Sequence, residues 1–319
     1  MMLLVEPQFR VHDGHIDLSM NRPEEWAYPE GMGVANGTYA HIGDATCGPV
    51  MFFFAVQPGI DLPESPAHGH ASDNWRMSMR GVLPMGRERY GPGDFRFQQG
   101  WKPYGSDSMS TGPHGGWAAL VFGDRRGTKI RPVREEEGYF PDETSICEWA
   151  HLAGDQASDD PRAGSGPAGL VTSAGEISGA RVNGSFAAAG LWPEVGDGIR
   201  AIGALMGDAG CGPVMVHADV APGCLASPAG VLQTEVIRLV VAGSCTVGSE
   251  TYEAGDIRIQ DSGARCEAVA AGAEGLHEVV LYGDRRALAD HGGALIVGVA
   301  ALVADLQARL DVDKQLLGR

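Results

Sequence analysis

Two histidines spaced two residues apart, His68 and His70, are the part of this 319-residue chain best placed to do chemistry. On a strand, residues i and i+2 face the same side, so both imidazoles can point into one barrel and offer two nitrogens to one metal. Asp73 is the nearest carboxylate. Strict alternation puts it on the opposite face, and a bulge there would swing it inward. His68, His70 and an inward Asp73 would approximate the two-histidine, one-carboxylate face of non-haem Fe(II) oxygenases, which leaves positions open for dioxygen and substrate. His114, in Thr111-Gly112-Pro113-His114-Gly115-Gly116, is a further candidate ligand, set against the plainer reading of an exposed turn histidine. His12-Asp13-Gly14-His15-Ile16-Asp17 is metal-like in composition, but the spacing fixes no geometry, and a solvated arm is expected.

The elements that must position these residues come from an internal repeat. Gly43 to Met51 reads GDATCGPVM and Gly207 to Met215 reads GDAGCGPVM, eight of nine identical at an offset of 164. At an offset of 162, Arg76, Gly81, Tyr90, Gly93, Asp94, Arg96 and Gln98 meet Arg238, Gly243, Tyr252, Gly255, Asp256, Arg258 and Gln260. Gly123-Asp124-Arg125-Arg126 then meets Gly283-Asp284-Arg285-Arg286. The organisation expected is an N-terminal arm (1–25), a first domain (26–130), a linker (131–190), a second domain (191–287) and a C-terminal helix (288–319). The helix rests on the spacing of Leu295, Val299, Leu302, Val303, Leu306 and Leu310, which would pack on its own barrel or supply a dimer contact.

Composition points the same way. Gly 47 and Pro 19 favour many turns and short strands over long helices. Short apolar runs such as Val236 to Val241 and Ala118 to Phe122 read as strands of an all-β protein. The net charge of −17 argues against nucleic acid and anionic membranes as partners, and no apolar run is long enough to span a bilayer. Six scattered cysteines without CxxC spacing, and no basic-then-apolar N-terminus, predict reduced thiols in a cytoplasm.

With these residues in hand, the chain resembles the cupin superfamily, specifically its two-domain bicupins, with a degenerate second cupin. His68, His70 and Gly81 match the family's first motif, with Asn74 where its Glu belongs. Pro92-Gly93-Asp94 matches the opening turn of the second motif, with Tyr104 at the position of its His. The resemblance implies two tandem jelly-roll β-barrels, the first carrying the site. A divalent metal, Fe(II) ahead of Mn, Ni or Zn, would be held by His68 and His70, with Asp73 or Tyr104 completing the set. The function expected is a metal-dependent, dioxygenase-like enzyme acting on a small molecule.

Two other readings stay open. Some cupin-like epimerases move protons between a His base and a Tyr acid; His70 and Tyr104 would then act without a metal, as in an isomerase or lyase. A binding protein without turnover is the other. Trp101 and Trp117, found in the first copy alone, join Asn74 and Arg76 as candidate substrate-binding residues. The second copy has Gly230, Leu232, Val236 and Cys266 at the positions of His68, His70, Asn74 and Tyr104, which predicts an apolar, structural barrel. The repeated Gly43-Asp44, Cys47-Gly48-Pro49 and Gly123-Asp124-Arg125-Arg126 are expected to be turn and core devices.

Overall fold

The computed structural model describes residues 10–12, 14–23, 35–62, 64–86, 88–106, 109–128, 130–132, 170–288 and 295–316. Each sequence copy forms an antiparallel sheet with its strands in the same order. The first runs Arg181–Ser185, Asp94–Gln98, Asn74–Arg80, Gly116–Phe122, Val50–Val56, Ala35–His41. The second contains His15–Ser19, Asp256–Gln260, Val236–Val247, Val269–Tyr282, Val214–Val220, Ile199–Leu205 in that order. A three-stranded sheet of Tyr104–Ser106, Ser65–His70 and Ile130–Pro132 forms the facing wall of the first barrel.

Period-two alternation decides which residues meet. Trp75, Met77, Phe95 and Phe97 share one face of the first sheet and join Ile237, Leu239, Ile257 and Ile259 of the second in a single buried cluster. The two barrels therefore pack sheet against sheet. The alternate residues, Asn74, Arg76, Arg96 and Gln98, point the other way, into the first barrel, where Tyr39, Phe52 and Phe122 form its apolar lining. The all-β class with a C-terminal helix is what the structure displays.

Two segments expected to lie outside the barrels belong to the sheets. His15–Ser19, assigned to a solvated arm, pairs with Asp256–Gln260 of the second copy. Arg181–Ser185, assigned to the linker, pairs with Asp94–Gln98 of the first. Each copy thus lends its leading strand to the other, setting Asp17 opposite Arg258 and Asn183 opposite Arg96. The exchange covers the backbone groups that an open sheet edge would leave unpaired. Composition cannot foresee it, because the strand and the edge it covers lie far apart in the chain.

The repeated motifs do more than make turns. Arg125 donates to the carbonyls of Ile42 and Gly48, and Arg285 to those of Met206 and Gly212, stapling the equivalent loop in each copy. Arg126 then crosses to Asp208 at 2.9 Å, and Arg286 crosses to Asp44 at 2.7 Å. Between these reciprocal pairs Cys47 is disulfide-bonded to Cys211. The expectation of six reduced thiols is corrected here: Cys224, Cys245 and Cys266 are free, and Cys147 lies outside the described residues. The pairing was hidden because equal positions in two copies become neighbours only when a pseudo-twofold axis passes between them.

The C-terminal helix spans Val299–Leu316. Leu295, Val299, Leu306 and Leu310 are buried in the core of the second barrel, so the apolar stripe is used within the chain. Among the described residues, no helix is long and apolar enough to cross a membrane.

Candidate active site

Antiparallel pairing of Ser65–His70 with Tyr104–Ser106 sets Tyr104 opposite His68, and this local register assembles the site. The two imidazole rings lie 5.2 Å apart, edge to face, and the His68 ring is 4.2 Å from the Tyr104 ring. His70 Nδ1 is 2.7 Å from the Thr128 carbonyl oxygen, and its Nε2 is 2.9 Å from the Tyr104 hydroxyl. A carbonyl can only accept, so Nδ1 carries the proton and donates to it. Nε2 is then left to accept from the Tyr104 O–H. Thr128 is itself held by its hydroxyl, which donates to the Arg125 carbonyl at 3.1 Å.

Arg76 completes the centre. Its guanidinium carbon sits 3.5 Å from the centroid of the Tyr104 ring, a cation–π geometry. Arg76 is buried; its Nη2 has no hydrogen-bond partner, and Nη1 donates to Met85 Sδ at 3.9 Å. Burial raises the Tyr104 phenol above its ordinary value while the Arg76 charge opposes the rise, so the hydroxyl stays protonated at neutral pH. Asn74 also faces the barrel: its amide nitrogen approaches the Ser72 carbonyl at 3.5 Å and its Oδ1 has no partner.

The other candidates lie elsewhere. Asp73 is fully buried on the opposite face, where its carboxylate accepts the backbone N–H of Gly100 at 2.9 Å and of Gly207 at 3.2 Å. It ties a loop to the second domain and does not join the histidines. It lies in the bend between Ser65–His70 and Asn74–Arg80, where the strand has already ended. His114 is exposed in its turn. Trp117 faces the contact between the barrels, with Arg80 stacked on it at 4.7 Å. Trp101 is half-buried in a loop with φ of +64°, and its N–H donates to the His70 carbonyl at 2.6 Å, bracing the histidine strand.

These residues do not fit a divalent metal. The donor set is two imidazoles, one of them hydrogen-bonded through both nitrogens, with a phenol and an amide. Among the described residues, no Cys, Asp or Glu forms a metal-holding group with His68 and His70. The unpaired guanidinium of Arg76 beside Tyr104 would repel a cation.

No protein-family model matches the chain. No curated protein matches it. Solved structures do. A Nostoc punctiforme protein provisionally described as a dioxygenase superposes with a TM-score of 0.52 at 11% identity, covering 92% of this chain and 90% of its own. The chain shares that structure's fold. The Escherichia coli protein YlbA has a TM-score of 0.47 at 11% identity, covering 87% and 94% of the two chains. A single-residue mutant of Bacillus subtilis oxalate decarboxylase has 0.44 at 14%, covering 84% and 77%. At 11% identity the likeness to the Nostoc punctiforme structure shows the fold alone and leaves the chemistry to the residues.

The second barrel departs from expectation. Its interior is not apolar: Arg238, Arg258, Gln260, Ser227, Cys266 and Tyr282 line a cavity of about 30 Å³. Arg238 pairs with the fully buried Glu278 and donates to Ser227 Oγ at 3.1 Å. Sequence reasoning compared only the positions of the histidine motif and so missed this polar set, although the repeated Arg76/Arg238 and Arg96/Arg258 were its visible signal. It also missed His41, buried and held down to about 4 by burial and by Arg125, and the Thr128 carbonyl that sets the His70 tautomer.

Proposed function

We propose that the first barrel is the active site of a metal-independent isomerase or lyase acting on a small molecule, with His70 and Tyr104 exchanging one proton with the substrate. The observation that carries this reading is the 2.9 Å contact between His70 Nε2 and the Tyr104 hydroxyl, with Nδ1 committed to Thr128. Tyr104 gives its proton to the substrate; in the other direction it passes its proton to Nε2 of His70 and takes up the one that the substrate releases. Arg76, over the ring, stabilises the phenolate that forms in either direction. His68 packs on the phenol and fixes its orientation.

Supplying protons at a carbon or oxygen beside a carbonyl needs no redox partner, which matches a site without a carboxylate ligand. The test is solvent-deuterium incorporation, followed by NMR, into candidate small keto and hydroxy compounds. Tyr104→Phe and His70→Ala are expected to lower the exchange rate about 10²–10⁴-fold, with chelator leaving it unchanged. Elemental analysis of protein purified without a metal-affinity step separates this from the Fe(II) dioxygenase reading. About one equivalent of metal, lost in His68→Ala/His70→Ala, would overturn the acid–base proposal.

A further inference from the structure

Arg76 and Arg238 occupy the same place in the two barrels, yet only one of them has a counter-charge. In the second barrel Val240 is opposite Glu278, and Arg238 opposite Val280. In the first, Ser78 is opposite Ala118, and Arg76 opposite Leu120. Since Ser78 and Arg76 are equivalent to Val240 and Arg238, the register makes Ala118 the equivalent of Glu278. The carboxylate that neutralises Arg238 is therefore replaced by a methyl group beside Arg76.

The consequence is a buried cation without the carboxylate that its counterpart has. Arg76 is 6% exposed, its Nη2 is unpartnered, and among the described residues no carboxylate lies within ion-pair distance of it. Its cross-strand neighbour Arg96 adds a like charge, and that charge is already spent: Arg96 bonds Glu88 at 2.6 Å and Asn183 at 3.0 Å. A desolvated, uncompensated guanidinium is costly, and a planar fork of this kind is suited to a carboxylate held by two parallel hydrogen bonds. Ala118 is half-buried, so the vacated position is not sealed as its counterpart is.

We propose that the first barrel binds a small carboxylate, whose anionic group takes at Arg76 the place that Glu278 takes at Arg238. The proposal rests on the reading of this barrel as the active site and names the class of its substrate. The carboxylate on Arg76 would bring the neighbouring carbon or oxygen of the substrate to the Tyr104 hydroxyl, because the guanidinium lies on the ring that carries it. The second barrel, with its own internal carboxylate, is the occupied version of the same device.

The experiment is isothermal titration calorimetry of the full-length protein with formate, acetate, pyruvate, malonate and benzoate, each set against its neutral amide where one exists. At least one carboxylate is expected to bind, with at least a tenfold preference over its amide. Arg76→Gln should lose that binding tenfold or more. Ala118→Glu supplies the missing counter-charge without touching Arg76 and should abolish it equally; this variant keeps the test alive if Arg76→Gln fails to fold. Amides binding as well as carboxylates, no carboxylate binding, or an Ala118→Glu protein that still binds would each overturn the proposal. Tyr104→Phe should retain carboxylate binding. Binding without proton exchange would remove the acid–base function and leave this inference standing, whereas exchange on a neutral compound with no carboxylate binding would do the reverse.

Discussion

Replacing His217 by Phe, the residue at its equivalent position 53, should remove one proton-linked step from acid unfolding. His217 is fully buried between Trp75, Phe95, Phe97, Phe186 and Trp192, and neither ring nitrogen has a hydrogen-bond partner. Burial drives its pKa from 6.5 down to about 3. The unfolded chain therefore binds a proton below pH 6.5 that the folded chain refuses until about pH 3. The stability this group contributes is present above 6.5 and is lost as pH falls, at about 1.4 kcal/mol per pH unit, or about 3 kcal/mol by pH 4.5. Urea unfolding of wild type and His217→Phe at half-unit steps from pH 4 to 8 measures it. Carboxylates such as Asp44 and Asp208, which hydrogen bonds hold below their ordinary values, act equally in both proteins and cancel in the difference. At pH 7.5 the variant should be near wild type, since loss of two unpartnered polar atoms offsets the strain of a larger ring. Below pH 6 its advantage should grow by about 1.4 kcal/mol per unit. Parallel stability curves, or a His217 imidazole that titrates near 6.5 by NMR, would refute the argument.

Arg76→Met should raise the melting temperature, because it removes a buried charge that has no acidic partner. Arg238→Met should lower stability by about 3–5 kcal/mol by stranding Glu278, and equal effects at the two sites, seen by calorimetry, would contradict the assignment. Cys47→Ser/Cys211→Ser is expected to cost about 2–4 kcal/mol, since the bond closes a span of 164 residues, and a non-reducing peptide map should show the two cysteine peptides linked. Asn183→Ala should destabilise the first barrel by about 1–3 kcal/mol in thermal melts, because Arg96 Nε and Tyr90 Oη both bond its Oδ1.

The sequence alone was enough for the two copies, the strand alternation and the C-terminal helix, because each is a local periodicity or a repeated turn. His68, His70 and Tyr104 were likewise visible as a group, since the register that joins Ser65–His70 to Tyr104–Ser106 spans one short excursion of chain. Asp73 was expected to face away from the histidines; it sits in the bend after their strand and bonds the backbone N–H of Gly207 in the second domain.

Tertiary structure decided what depends on residues more than eighty positions apart. The strand exchange that sets Asn183 on Arg96, the Cys47–Cys211 bond and the Arg126–Asp208 crossing follow from how two barrels pack back to back, and no local pattern encodes that packing. The same holds for the meaning of Arg76. The sequence made it a candidate substrate-binding residue without saying what it would bind, and the register of Gly116–Phe122 and Val269–Tyr282 puts Ala118 where the other barrel has Glu278. A charge is defined by what lies within a few ångströms of it, and for this arginine the chain's own order keeps that partner out of sight.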